Sequence, residues 1–195
     1  FAMDNSIHKL NLNPVPSKLF DILYIGQNTK STKTNWKFSY ESIAWLVKLL
    51  GELPNLKIAI KHHNTWPGDD EELEITKNSG IKYIDFTTNS YQAGLQSNLV
   101  LTYGSSMGYE LLSQGVKVAF LDPGNENPFI NNFVYSDNIV INNYSNLKTY
   151  IQNDTTNIQN LIENNGKDYC YSEPGVSKRI YEYLYSYKAT KIKKN

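Results

Sequence analysis

The chain has 195 residues, 40% of them hydrophobic and 19% charged, which is enough to bury the core of one globular domain. Its 19 Lys and Arg residues balance 19 Asp and Glu residues, so the broad basic surface that nucleic-acid binding requires is not expected. The single cysteine, Cys170, excludes an internal disulfide framework and any multi-cysteine metal site.

The two ends of the chain are expected to lie outside the folded core. Phe1-Ala2-Met3 resembles a cloning scar, and two prolines make residues 1–20 suitable for an extended lead-in. We expect one domain over residues 21–188 and a frayed basic tail over 189–195. No apolar run approaches the roughly 18 residues of a membrane span and no secretory signal is visible, so a cytoplasmic protein is expected.

Short apolar runs alternate with helical patterns along most of the chain. Strands are predicted at 21–25, 56–60 and 81–86, in a run ending at Thr102-Tyr103, in a run after Gly115, and at 138–141. Helices are predicted after an N-cap at Ser39, then at 69–78, at 90–95, between Gly104 and Gly115, from Ser145 onward, and at 174–188.

This alternation predicts an α/β fold, a doubly wound parallel sheet of about five or six strands with helices on both faces. Ligands of such sheets bind at the carboxyl ends of the strands. Polar residues that follow strands are therefore candidate ligand contacts, and Gln27, Lys61 and Asp122 occupy such positions. For Asp122 an ordinary turn is an equally good interpretation.

The stretch Leu99–Asp122 reads as a strand, a helix and a second strand. Because the helix starts at the carboxyl edge of the sheet, the amides of Ser105, Ser106 and Met107 are predicted to bind an anion. The alternative is that one of the two serines is simply an N-cap. Glu110 does not have the three-residue spacing of a capping box.

Gly108 lies in the first turn of the same helix. A glycine at such a position lowers the stability of the helix by roughly 1 kcal/mol relative to alanine. That loss is understandable if a ligand or a neighbouring backbone approaches the helix closely at this point. Nearby in the predicted sheet, His62 and His63 follow the second strand. Adjacent strand residues point to opposite faces, so one of the two histidines is expected to be structural. No third ligand is apparent, and a metal site is not expected.

Two segments resemble a known family. SNLVLTYGSSMGYELLSQGVKVAFLD resembles the donor-side motif of GT-B-type glycosyltransferases that build capsule polysaccharide and lipopolysaccharide. LKIAIKHHN is similar to the strand ending in K-x-H-P that precedes this motif in the same proteins, the KpsC-like Kdo transferases among them. Order and spacing agree over Leu56–Asp122. The sequence departs from the family pattern at Asn64, where proline is usual, and at Gly104, ahead of the serines.

The resemblance implies the Rossmann-like, donor-binding lobe of a glycosyltransferase in surface polysaccharide biosynthesis. It implies that Ser105 and Ser106 hold the nucleotide phosphate, that Glu110 lies near the nucleotide sugar, and that His63 stabilises charge on the donor phosphate. The candidate site thus has two catalytic residues, His63 and Glu110, and six donor-binding residues: Ser105, Ser106, Met107, Gln27, Lys61 and Asp122.

The same resemblance implies the partners of the protein. A nucleotide sugar, with CMP-linked sugars among the candidates, would be the donor substrate, and no separate cofactor or metal would be needed. A glycan or lipid-linked acceptor would bind through an N-terminal lobe. The full-length protein would work in the cytoplasm, with peripheral association at the inner face of the membrane compatible with this function.

Three alternatives remain open from the sequence. A polyol-phosphate transferase of the teichoic-acid type shares the lobe architecture but would be expected to carry Asp before the serines, where this chain has Tyr103-Gly104. A nonhydrolysing sugar-nucleotide epimerase is also similar, although such enzymes have two lobes and a longer chain. The third alternative is a scaffold domain that keeps the fold without the chemistry.

Overall fold

The computed structural model describes residues 17–26, 36–62, 68–85, 87–125, 139–152, 178 and 180–182. The strands in this part of the chain are β1 Phe20–Ile25, β2 Ile58–Lys61, β3 Lys82–Tyr83, β4 Ser97–Thr102, β5 Val118–Leu121 and β6 Val140–Ile141. The helices are α1 Trp36–Glu52, α2 Asp70–Thr76, α3 Ser90–Leu95, α4 Ser106–Ser113 and α5 Tyr144–Gln152.

All six strands form one parallel sheet in the order β3-β2-β1-β4-β5-β6. The predicted doubly wound, Rossmann-like α/β fold is therefore confirmed. Ile25 is in register with Lys61 of β2 and with Thr102 of β4, so the carboxyl ends of the three central strands lie level. The strand order reverses between β1 and β4, which is where a crevice for ligands forms in such sheets.

Both faces of the sheet are buried. Ile22 and Tyr24 of β1 point to the face covered by α1 and α5, while Leu23 and Ile25 point to the face covered by α3 and α4. Side chains of neighbouring strand residues alternate between the two faces. Helices on both sides explain why the strands read as continuous apolar runs instead of alternating ones.

Helix α1 begins earlier than the sequence predicts. It starts at Trp36, so Ser39 lies inside the helix and the prediction that it is the N-cap is wrong. Ser39 is buried, and the nearby Ser42 hydroxyl donates to the carbonyl of Phe38 at 2.8 Å. Burial raises the pKa of Tyr24 in β1, and the hydroxyls of the two serines act in the opposite direction. Ser39 and Ser42 therefore contribute to the packing of α1 against β1.

Other elements differ from prediction mainly in length. Helix α3 has the predicted bounds, whereas β3 has two residues instead of six. Asp69 is the N-cap of α2, since its carboxylate accepts from the amide of Glu72 at 3.0 Å. Most of the predicted lead-in, the basic tail and the C-terminal helix lie outside the described residues. Among the described helices, none combines the length and hydropathy that crossing a bilayer requires.

Candidate functional site

One buried hydroxyl joins the two strands at which the sheet order reverses. Thr102, the last residue of β4, donates to the carbonyl of Ile25 at 3.0 Å. The same oxygen accepts from the amide of Ser105 at 3.1 Å and from that of Gly104 at 3.4 Å. The side chain therefore ties the end of β1 to the turn that leads into α4, and it fixes the shape of that turn.

The start of α4 has one amide available for a ligand, where three were predicted. Ser105 is the N-cap, and its hydroxyl accepts from the amide of Met107 at 3.3 Å. The capping interpretation is thus confirmed for Ser105. The Ser105 amide is bonded to Thr102, which leaves Ser106 as the residue whose amide has no hydrogen bond to any described part of the chain. Ser106 is exposed, so an anion can approach it.

Gly108 is explained by packing within the protein. A β-carbon at this position would lie 2.8 and 2.9 Å from two ring atoms of Phe120 and 3.1 Å from Cγ2 of Thr102. The Phe120 ring is itself stacked on Tyr109, with centroids 4.5 Å apart. The close approach inferred from the sequence therefore involves side chains of the sheet. A ligand or a neighbouring backbone is not needed to account for the glycine.

Glu110 lies on the same face of α4 as Ser106, because residues four apart on a helix are neighbours. Its carboxylate is partly buried and accepts from the hydroxyl of Tyr91, on α3, at 2.8 Å. This bond holds the carboxylate between the two helices. Contact between Glu110 and a nucleotide sugar stays a prediction.

Of the remaining predicted contacts, Lys61 and Asp122 are buried, Met107 is partly buried, and two lie outside the described residues. Lys61 is fully buried, and its ammonium donates to the carbonyl of His62 at 2.8 Å. Burial lowers the pKa of Lys61, whereas the charge of Asp85 raises it. Asp122 is also fully buried, at the carboxyl end of β5. Donor binding by these two residues and by Met107 stays a prediction, and Gln27 and His63 lie outside the described residues.

The structure contains a polar cluster that sequence reasoning missed. His62 Nε2 lies 2.7 Å from Oε1 of Glu72, and the two side chains are only 5% and 8% exposed. The imidazole is stacked on Tyr83, with ring centroids 5.5 Å apart. His62 is therefore the structural member of the histidine pair. No spacing rule predicts its partner, because the acidic first turn of α2 is equally typical of any helix N-terminus.

The hydroxyl of Tyr83 also belongs to this cluster, where it donates to Oε1 of Glu72 at 3.3 Å and lies 2.7 Å from Oγ1 of Thr76. Burial raises the pKa of Tyr83 to about 12. Its ordinary value is about 10, so between these values the folded state binds more protons than the unfolded state.

We expect the free energy of unfolding to decrease as the pH rises through this range, and the decrease to be smaller in Tyr83→Phe. Denaturant titrations over the range, with tyrosinate absorbance as a second measurement, test this. The prediction would be contradicted if the free energy of unfolding fell with pH equally steeply in the wild type and in Tyr83→Phe.

No group of three or more His, Cys, Asp or Glu side chains within the described ranges is arranged to hold a metal ion. The described polar groups at the carboxyl edge include the N-terminus of α4 and the carboxylate of Glu110. A helix N-terminus can bind an anionic ligand through hydrogen bonds, and a carboxylate can orient a hydroxyl group.

Comparison with known proteins bears on the fold. No model of a known protein family matches the chain, and no curated protein sequence matches it. The chain is similar in structure to the UDP-GlcNAc 2-epimerase from Neisseria meningitidis, in a crystal structure bound to UDP-GlcNAc, with a TM-score of 0.55 and 15% sequence identity. The match covers 93% of this chain and 51% of the epimerase, so the chain spans about half of that enzyme. This similarity shows a Rossmann-like α/β fold, and it gives no support to membership of the KpsC-like family.

Proposed function

We propose that the chain is the nucleotide-sugar-binding lobe of a GT-B-like glycosyltransferase of surface polysaccharide biosynthesis. The observation that carries the proposal is the exposed, unbonded amide of Ser106, which lies at the start of α4 beside the point where the strand order reverses. Open parallel sheets bind their ligands at this point. The motif around Ser105, Ser106 and Glu110 adds the resemblance to donor-binding lobes.

Ser106 suits a phosphate group of the donor. The N-terminus of a helix carries about half a positive charge, and its unbonded amides point outward. A phosphate oxygen at the Ser106 amide would accept a charge-assisted hydrogen bond, with the serine hydroxyl as a second donor. Since the turn is fixed by Thr102, the amide needs little rearrangement to make that bond.

Glu110 suits a hydroxyl of the donor. A carboxylate accepts hydrogen bonds from hydroxyl groups and repels phosphates. One turn separates Glu110 from Ser106 on the same helix face, so both residues can contact a single ligand. The bond from Tyr91 keeps the carboxylate in one orientation and so favours one sugar position.

In the proposed reaction, negative charge develops on the departing nucleotide phosphate. The fixed dipole at the start of α4 stabilises that charge, and His63 contributes as a second donor. The acceptor binds to a second lobe, which also supplies the general base. That base removes the proton of the acceptor hydroxyl as its oxygen bonds to the sugar and the nucleotide departs. This lobe alone is therefore expected to bind the donor and to turn it over poorly or not at all.

The structural similarity favours a second candidate, a sugar-nucleotide epimerase lobe, because the similar solved enzyme is a UDP-GlcNAc 2-epimerase. The two reactions differ in their need for an acceptor. An epimerase inverts a carbon of the sugar with no acceptor present, whereas a transferase releases the nucleotide when a glycan acceptor is added. Proton NMR of a UDP-, CMP- or GDP-sugar incubated with the full-length protein separates the two.

Substitution of Ser106 by proline provides a sharp test of donor binding. Proline is well tolerated at the first position of a helix, and the extended backbone of Ser105, with φ −72° and ψ 133°, suits a residue that precedes proline. Ser106→Pro therefore removes the amide donor and keeps the fold. A hydrogen bond to a charged group contributes about 1.5–3 kcal/mol, so we expect a loss of nucleotide-sugar affinity of about 10- to 100-fold by calorimetry.

Two controls accompany this variant. Ser106→Ala keeps the amide and should lose less affinity than Ser106→Pro, while Ser113→Ala makes the same change at the far end of α4 and should lose none. Thermal unfolding establishes that each variant is folded. Failure of the folded wild type to bind any UDP-, CMP- or GDP-sugar would contradict the proposal and favour a scaffold. Equal affinity of Ser106→Pro and wild type would contradict the role of the amide.

A further inference from the structure

The Glu72 and His62 pair occupies an unusual place in the fold. It lies at the carboxyl edge of the sheet, where β2 ends, and both side chains are almost fully buried. His62 begins the connection from β2 to α2, and Glu72 lies in the first turn of α2. The pair therefore closes that connection by joining its two ends.

The imidazole also contacts the end of β1. A β-carbon at Gly26 would lie 2.9 Å from Nδ1 of His62, and one at Gly68 would lie 2.8 Å from Nε2. Both glycines therefore leave room for the imidazole ring. Gly26 is the first residue after β1, and its amide donates to the carbonyl of Lys61 at 2.9 Å. The imidazole therefore lies against the first residue after β1.

From the end of β1 the contacts lead on to the start of α4. Ile25, which precedes Gly26, accepts the hydroxyl of Thr102 at 3.0 Å. That hydroxyl in turn accepts the amide of Ser105, the N-cap of α4, at 3.1 Å. Every step from the imidazole to the α4 turn is a direct hydrogen bond, a packing contact or a peptide bond.

We propose that Glu72 and His62 are positioning residues for the α4 turn. Glu72 contacts the imidazole at Nε2 and keeps it in place, the imidazole packs against Gly26, and Gly26 determines the place of the Ile25 carbonyl to which Thr102 is bonded. The pair touches no ligand in this scheme. Its effect on nucleotide-sugar affinity rests on the function proposed above, whereas its effect on the turn does not.

Hydrogen exchange of the Ser105 amide, measured by NMR on the whole chain, tests the proposal without a ligand. Glu72→Leu removes the carboxylate that contacts His62 Nε2, and we expect the protection of the Ser105 amide to decrease by about tenfold, as in a local opening. Glu72→Gln keeps a side chain of the same size with an oxygen beside Nε2, so it should retain most of the protection. Nitrogen chemical shifts of His62 should be the same in wild type and Glu72→Gln.

A matched control separates positioning from general loss of stability. Thr76→Val removes the bond to the Tyr83 hydroxyl, which belongs to the same cluster, but leaves the contact between His62 and Glu72 in place. It should leave the Ser105 amide protected. If Glu72→Leu leaves that protection unchanged, or if Thr76→Val lowers it equally, the proposal is wrong.

A second variant keeps the test valid if Glu72→Leu does not fold. Gly26→Ala introduces no buried charge and displaces the imidazole by steric contact alone. It should lower the protection of the Ser105 amide in the same direction, and unchanged protection would contradict the proposal. If the wild type binds a nucleotide sugar, Glu72→Leu and Gly26→Ala should each bind it about tenfold more weakly than the wild type does. Absence of binding by the wild type would count against the proposed function and leave the exchange result to decide on positioning.

Discussion

Replacement of Gly108 by alanine should destabilise the fold by about 1–3 kcal/mol, the usual cost of adding a methyl group to a packed core. In an exposed helix the same change stabilises by roughly 1 kcal/mol, because alanine is the better helix former. At Gly108 the new β-carbon would lie under 3 Å from the ring of Phe120, and the aromatic stack with Tyr109 resists its displacement. Thermal unfolding should show a decrease in Tm of about 2–4 °C for each kcal/mol lost.

Another helical glycine offers a matched control. A β-carbon at Gly51, near the end of α1, would meet nothing within 4 Å. Gly51→Ala should therefore leave stability unchanged or raise it by up to about 1 kcal/mol. Adding Phe120→Leu to Gly108→Ala should recover part of the loss, since the two sites are coupled by contact. Equal Tm values for Gly108→Ala and Gly51→Ala would contradict the packing explanation.

Removal of the Glu72 carboxylate should cost about 3 kcal/mol of folding free energy. Glu72→Leu removes the acceptor of the Tyr83 hydroxyl and the carboxylate that lies 2.7 Å from the buried Nε2 of His62. A buried polar group left without a partner costs about 1–3 kcal/mol. Denaturant titration at neutral pH measures the loss.

The double variant distinguishes an unpaired polar group from lost packing. When His62→Leu is added to Glu72→Leu, no imidazole remains to be satisfied, so the double variant should be more stable than the sum of the two single losses predicts. Additive losses would indicate that the two side chains contribute independently through packing. That result would also weaken the role of Glu72 in fixing the imidazole.

The sequence predicts the fold because the central strands are continuous apolar runs that alternate with helical patterns. Runs such as Ile22–Ile25 require cover on both sides of the sheet, which a doubly wound arrangement supplies. Helix ends are less predictable, as Ser39 and Ser105 illustrate. Both are serines near the start of a helix, yet one caps α4 and the other is buried inside α1 against β1.

The candidate site is only partly predictable for the same reason. The start of α4 follows from the local sequence, but the use of its amides depends on Thr102, a residue read from the sequence only as the end of a strand. The pairing of His62 with Glu72 joins residues ten apart across a loop, and only the tertiary fold brings them together. The roles of His63 and Gln27 stay predictions from the resemblance.

The Thr102 hydroxyl has a further consequence for association kinetics. Because it holds the end of β1 and the α4 turn together, the Ser106 amide already has the orientation that the donor binding proposed above requires. Preorganised donors of this kind lower the entropic cost of association, and no slow conformational step needs to precede it. Under the proposed function, loss of this one hydroxyl in Thr102→Val should therefore lower the rate at which the donor binds, with the helix itself intact.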